Sequence, residues 1–246
     1  EHLKKLDESA AIKVKESLNK ISPELSHFII EFAYGEVYSR PDLDLKSRQI
    51  ATVAALAAMG TAPEQLKFHI GAALNVGCTP NEIIDVMYLI SVFSGFPASI
   101  NGIKVAETVF NERNVKTEPG NKNDNNSAGR RKRGLRALSE VSGASGQDVI
   151  NSLSRSAPEL ADFIIDYSYG DIISRPVLDP QHKEIAIIAA CVAMGTAKPQ
   201  LKVHINAALR VGCTQKQIKE TIIQMALYSG FPSSLNAIAI ANEVFN

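Results

Sequence analysis

A chain of 246 residues, 45% of them hydrophobic, is long enough for two units of about 110 residues, each with its own core. It contains no run of about 18 apolar residues, so no membrane span is expected, and its 26 Lys and Arg balance its 26 Asp and Glu, which argues against nucleic-acid binding driven by phosphate neutralisation. Three cysteines are too few for a disulfide framework and point to a reducing, cytoplasmic setting; a removed secretory signal stays open, because the chain begins at Glu1 without Met.

Residues 22–111 return at 157–246 with a constant offset of 135 and no gap, and 46 of the 90 aligned pairs are identical. A repeat of this kind is one structural unit used twice. In the first copy Ile12, Leu18, Ile21, Leu25, Phe28, Ile29 and Phe32 recur at helical spacing, interrupted near Pro23. Ser22-Pro23-Glu24 has the form of a helix start, and Arg40-Pro41 ends the helix carrying Tyr34 and Tyr38, since the residue before proline disfavours helical geometry. Asp44, and Asp179 in the second copy, should cap the next helix, which is nearly all Ala, Val and Leu from Ile50 to Met59. A helix apolar on every side is buried on every side. Gly60 stops it, and the following helix runs from about Pro63 to Val76 and stops at Gly77. Thr79 with Glu82 forms a capping box, matched by Thr214 with Gln217. After a helix through Ile83, Ile84, Met87 and Ile90, Ser94-Gly95-Phe96-Pro97 makes a tight break and a last helix runs to Phe110. No stretch alternates with period two, so the predicted fold class is all-α.

Residues 112–132 are polar, rich in Asn and Gly, and lack apolar periodicity; they read as a linker between a first domain, 1–111, and a second, 133–246. Arg130, Arg131, Lys132 and Arg133 at its end read as a solvated linker end or as a basic targeting patch, and neither repeat offers a basic face to extend them.

Several of these residues together resemble the carboxymuconolactone decarboxylase family, a helical family that includes alkylhydroperoxidase D. They are Gly35-Glu36-Val37-Tyr38-Ser39-Arg40-Pro41 with Leu43-Asp44, the Ala-rich helix, His69 with Ala72-Ala73-Leu74 and Gly77, Thr79 with Glu82-Ile83, and Gly95-Phe96-Pro97. Arg133 to Gly143 resembles the start of single-domain decarboxylases. The resemblance implies two tandem helical domains packed as a pseudo-dimer. It also implies an enzyme acting on a small carboxylated, lactone-like substrate without a cofactor: loss of CO2 leaves dienolate-like charge, a protonated His quenches it, and an Arg holds a carboxylate. Single-domain members form rings of six, so a fused pair should close a ring of three copies, a homotrimer. The peroxidase branch resembles Cys-x-x-Cys-x-x-x-His; here those cysteine positions are Ala62 and Gln65, or Ala197 and Gln200, so no dithiol can cycle. The Trp usual in the decarboxylase branch is also missing, since the chain contains none.

His69 and His204 are the leading catalytic candidates, as general acid or base; the alternative for each is a core histidine with a hydrogen-bond partner. Arg40 and Arg175 follow a Gly-Glu or Gly-Asp pair at a helix end and could clamp a substrate carboxylate, cap helix carbonyls, or pair with Glu36 or Asp171. Glu36 shares that ambiguity. Arg48 becomes Lys183, and Gln49 becomes Glu184, 20 residues before His204. Glu184 favours the second copy for proton-relay chemistry, and Arg48 favours the first for anion binding. His182 reads as a surface residue. Cys78 and Cys213 sit just before a capping Thr, either as hydrophobic staples on Ile83 and Ile218 or as single reactive thiols of a peroxiredoxin-like antioxidant protein. Cys191 reads as core. No His, Asp or Glu group has metal-ligand spacing. A third reading is a non-catalytic oligomeric binder of small molecules.

Overall fold

The computed structural model describes residues 2–7, 9–18, 20–117 and 127–246. The first repeat opens with two short helices, α1 (His2–Leu6) and α2 (Ala10–Leu18). Then α3 (Pro23–Phe28) runs directly into a π-helical stretch, Ile29–Val37, and α4 (Leu45–Met59), α5 (Pro63–Asn75), α6 (Pro80–Phe93) and α7 (Phe96–Glu112) follow. The second repeat begins with α8 (Ser127–Ala137), a π-helical turn at Leu138–Ser142, α9 (Gly143–Leu153) and α10 (Pro158–Phe163). A second long π-helical stretch, Ile164–Ile173, leads to α11 (Pro180–Met194), α12 (Lys198–Arg210), α13 (Gln215–Ser229) and α14 (Phe231–Phe245). Every element among the described residues is helical.

Most helix ends follow from local chemistry. Asp44 accepts a hydrogen bond from the Ser47 backbone N–H at 3.0 Å, and Asp179 from that of His182 at 2.9 Å. Both capping boxes form, Thr79 with Glu82 and Thr214 with Gln217. Gly60 and Gly195 close α4 and α11 with φ of 67° and 69°, a left-handed conformation that a Cβ would strain. Ser22 stands at the start of α3, but its side chain makes no capping hydrogen bond; Pro23, which needs no partner for an N–H, starts the helix instead.

Helix α8 begins at Ser127, inside the stretch expected to be linker. Its arginines explain why. Arg130 pairs with Asp171, Arg131 with Asp162 and Asp166, and Arg133 with Asp171, so the basic cluster clasps α8 to the acidic side of α10 and the π stretch after it. Gly134 allows the close crossing, because a Cβ there would collide with the Ile165 carbonyl oxygen.

The Ala-rich helices α4 and α11 pack against each other at the centre, buried along most of their lengths as their composition requires. Around them most of the buried apolar side chains of both repeats form one core, with Leu6, Tyr38 and Ala72 in a small second cluster. Ser47 Oγ lies 3.1 Å from His182 Nε2, and these two residues occupy equivalent repeat positions. Equivalent residues meet in this way only close to a pseudo-twofold axis, so the repeats form an internal pseudo-dimer. His182 is therefore not a free surface residue: it is half-buried, held by Asp179 and Ser47 at the seam.

Candidate functional site

Helices α5 and α12 carry the two repeat-equivalent histidines, and both side chains are buried, His69 at 4% exposure and His204 at 5%. Their surroundings differ completely.

Around His69 the hydrogen bonds close on themselves. His69 Nδ1 lies 2.8 Å from Gln49 Oε1, and Gln49 Nε2 donates to the Tyr38 hydroxyl at 3.3 Å. The Tyr38 and Tyr228 hydroxyls are 2.6 Å apart, and the Tyr228 hydroxyl lies 3.4 Å from His69 Nε2. One assignment of protons satisfies the circuit: His69 Nδ1–H donates to Gln49, Gln49 to Tyr38, Tyr38 to Tyr228, and Tyr228 to His69 Nε2. Every member is neutral. Burial pushes the His69 imidazole down to about 3, so it carries no charge near neutral pH. Phe68 and Tyr228 pack edge-on against the ring, with centroids at 5.0 and 5.4 Å. The Tyr228 hydroxyl thus covers the free ring nitrogen of His69.

Around His204 the equivalent positions carry different residues. Glu184 stands for Gln49, Ile173 for Tyr38, Phe93 for Tyr228, and Val203 for Phe68. His204 Nδ1 lies 2.8 Å from Glu184 Oε2, and Glu184 is fully buried. The other carboxylate oxygen, Oε1, is buried without a hydrogen-bond partner. Phe93 packs edge-on against His204 with centroids 5.0 Å apart, but has no hydroxyl to offer it. Instead His204 borders a cavity of about 500 Å³, within the range of small-molecule sites.

Four elements build this cavity. Helix α6 of the first repeat supplies Val92 and Phe93, α9 supplies Gly146 and Val149, and α12 with the turn before it supplies Thr196, Ala197, Gln200, Val203 and His204. The π stretch supplies Ile164, Ser168, Tyr169 and Ile173, whose spacing by four and five places them on one face of the wider π turn. Tyr169 is tied down, its hydroxyl 2.6 Å from Ser142 Oγ, and burial pushes it up to about 12, so it stays a neutral phenol. Chemically, a carboxylate on Nδ1 fixes the ring's orientation and tautomer and leaves Nε2 on the cavity side to give or take a proton.

The expected anion-binding residues lie elsewhere. Arg48 is completely buried and donates to Glu220, Gln224 and the Leu43 and Arg40 carbonyls. Arg40 pairs with Glu220 rather than with Glu36, reaching it through Nε at 2.8 Å. Arg175 pairs with Asp85 and sits 4.7 Å over the Tyr88 ring, rather than with Asp171. Lys183 donates to the Ile173 and Arg175 carbonyls. Arg40, Arg48 and Arg175 each join one repeat to the other and so act as seam clasps, whereas Lys183 bonds within its own repeat. None borders the cavity, and Glu36 is solvent-exposed. All three cysteines are free and buried, and burial pushes each thiol up to about 12, the opposite of what a reactive thiolate requires. Cys78 and Cys213 belong to the core with Ile83 and Ile218, as staples do.

Phe93, Ile173 and Val203 escape a reading that looks for titratable groups. Their signal is a difference between the aligned repeats: three aromatic side chains around one histidine give way to smaller or hydroxyl-free ones around the other.

Comparison with known proteins agrees with the fold. A model described as the carboxymuconolactone decarboxylase family matches residues 23–108 and again 158–243. The 4-carboxymuconolactone decarboxylase of Acinetobacter baylyi is 36% identical over 107 residues, which is 44% of this chain and 79% of that protein. The nitrosuccinic acid decarboxylase of Metarhizium robertsii is 24% identical over 116 residues, 46% of this chain and 79% of its own length. A solved structure from Burkholderia xenovorans LB400, assigned as a gamma-carboxymuconolactone decarboxylase subunit, superposes with a TM-score of 0.62 at 24% identity, covering 100% of this chain and 98% of that one; it shares the fold.

Proposed function

The chain belongs to the carboxymuconolactone decarboxylase family, and we propose that it is a carboxy-lyase acting on a small carboxylic acid at one working site per chain, the cavity beside His204. The observation that carries this reading is the contrast between the two histidines: one is paired with a buried carboxylate and faces a cavity, the other is sealed by tyrosines. The relatives named as decarboxylases supply the reaction class.

In the reaction, the bond between the substrate's α-carbon and its carboxylate breaks and CO2 leaves. The electron pair stays behind as an enolate, and His204 Nε2–H delivers a proton to carbon. Glu184 accepts the hydrogen bond from Nδ1–H and stabilises the imidazolium before transfer. Solvent then returns the proton to the ring. Trapping of CO2 from a panel of β-keto and lactone carboxylic acids tests the proposal. Release above the buffer background is expected for at least one acid, and none from the whole panel ends the reading.

The site also bears on assembly. Leu25, Phe28, Phe231 and Leu235 are 46 to 68% exposed, and so are their equivalents Leu160, Phe163, Phe96 and Ile100. Phe231 packs on Phe32 with centroids 6.0 Å apart, and Phe96 on Tyr167 at 5.6 Å, so each repeat joins with the other to build one of two related apolar patches. Clustered exposed apolar side chains of this kind mark sites of association. Joining the first patch of one copy to the second patch of the next closes a ring, and we assign three copies to it. Light scattering should give a mass near three chains; a single-chain mass at micromolar concentration rules the ring out.

A further inference from the structure

The cavity's chemistry also selects among carboxylic acids. Resting on the decarboxylase reading of the same site, we propose that the substrate is a hydrophobic monocarboxylate, an acid with one ionised group on an otherwise apolar body.

The first argument is charge. Among the described residues that border the cavity there is no Lys or Arg. Of the cations next to the lining in sequence, Arg175 pairs with Asp85, Lys202 pairs with Glu243, and Lys198 borders a different pocket beside Gly195 and Ser233. The positive charge the site can offer is a single one, the His204 imidazolium. Glu184 lies directly behind it, fully buried, with one oxygen already unpartnered. A buried carboxylate needs a counter-charge or several hydrogen bonds to offset its lost hydration. One substrate carboxylate can meet the imidazolium. A second would face apolar walls and the field of Glu184 with no second cation among the lining residues to balance it.

The second argument is the wall itself. Val92, Phe93, Val149, Ile164, Ile173 and Val203 line it with hydrocarbon. Such walls favour a hydrocarbon body by removing it from water. They also favour the reaction: a carboxylate held among apolar side chains is poorly solvated, and it leaves as neutral CO2. Ser168, Thr196 and Gln200 are uncharged hydrogen-bonding groups available to a carbonyl or lactone oxygen on that body. The volume of about 500 Å³ suits a substituted ring.

Titration calorimetry on the full chain tests this with matched probes: benzoate and cyclohexanecarboxylate against phthalate and cyclohexane-1,2-dicarboxylate. The monocarboxylates should bind about a hundredfold more tightly than the dicarboxylates, the scale on which sites reject a mismatched polar group. Phe93→Trp, which fills the cavity, should abolish that binding while circular dichroism and the unfolding transition remain those of a folded helical protein. Equal or tighter binding of the dicarboxylates overturns the proposal, as does absence of monocarboxylate binding, or binding that a folded Phe93→Trp variant leaves unchanged. CO2 release confined to dicarboxylic acids would overturn it while leaving the decarboxylase reading intact. Selective monocarboxylate binding without CO2 release from any acid would uphold the charge selection and end the decarboxylase reading.

Discussion

His204→Gln should lower turnover by about 10²- to 10⁴-fold, the range lost with a general acid, while His69→Gln keeps it within a few-fold of the parent. Sequence names both histidines as candidates and favours the second copy only through Glu184, so this difference tests the contrast in surroundings that the structure adds. His69 should declare itself in stability instead. Its replacement breaks the closed circuit with Gln49, Tyr38 and Tyr228 and should cost about 1–3 kcal/mol. The pH dependence has a definite sign. Folded His69 takes up no proton until about pH 3, whereas in the unfolded chain it titrates near its ordinary value of 6.5. Between those values the unfolded state binds more protons, so stability rises with pH and is lost as pH falls from 6.5 toward 3. The slope from this one buried group approaches about 1.4 kcal/mol per pH unit. Denaturant melts at pH 7 and pH 5 should show that loss in the parent and a flatter response in His69→Gln. Equal loss of turnover in both variants would mean that both repeats contribute to catalysis.

Much of the fold was legible because its signals are local. The caps at Asp44 and Asp179, the two capping boxes, the closing glycines of α4 and α11, and the all-round burial of the Ala-rich helices each depend on residues within a few positions of one another. The repeat supplied the rest of the architecture, since a duplicated unit with an apolar central helix packs on its own copy. What stayed hidden was long-range. Arg48 looked like an anion site because its partners, Glu220 and Gln224, lie in the other repeat, and only the folded seam shows that its charge is already matched. The arginines of α8 read as a linker end because their partners, Asp162, Asp166 and Asp171, lie well along the chain in α10 and the π stretch. The π-helical stretches have no period distinct enough to be read in sequence, yet Ile164–Ile173 gives the cavity one of its walls. Of the candidate site, the Glu184–His204 spacing was visible, whereas the room beside it was not, because that room is made by side chains lost from the circuit rather than by chemical groups gained.

That origin predicts how to close the site. Ile173→Tyr together with Phe93→Tyr restores in the second repeat the two hydroxyl-bearing rings that Tyr38 and Tyr228 place beside His69. In the first repeat those rings pack tightly enough to leave Tyr38 only 1% exposed. Rebuilt around His204, they should fill the cavity and bring a phenol to Nε2, occupying the position of the reacting carbon. Turnover should fall by about a hundredfold or more, the scale of losing a productive near-attack arrangement. Stability should hold or rise, because an empty space is replaced by packed rings with satisfied hydroxyls. Phe93→Leu serves as the control: it removes bulk without adding a hydroxyl, and turnover should stay within about tenfold of the parent, the smaller loss expected from an apolar pocket change. Denaturant melts and CO2 release on the three proteins check the result together. A double variant that is folded and still turns over at the parental rate would show that substrate does not occupy this cavity, and His204 would then join His69 as a buried strut of the pseudo-dimer.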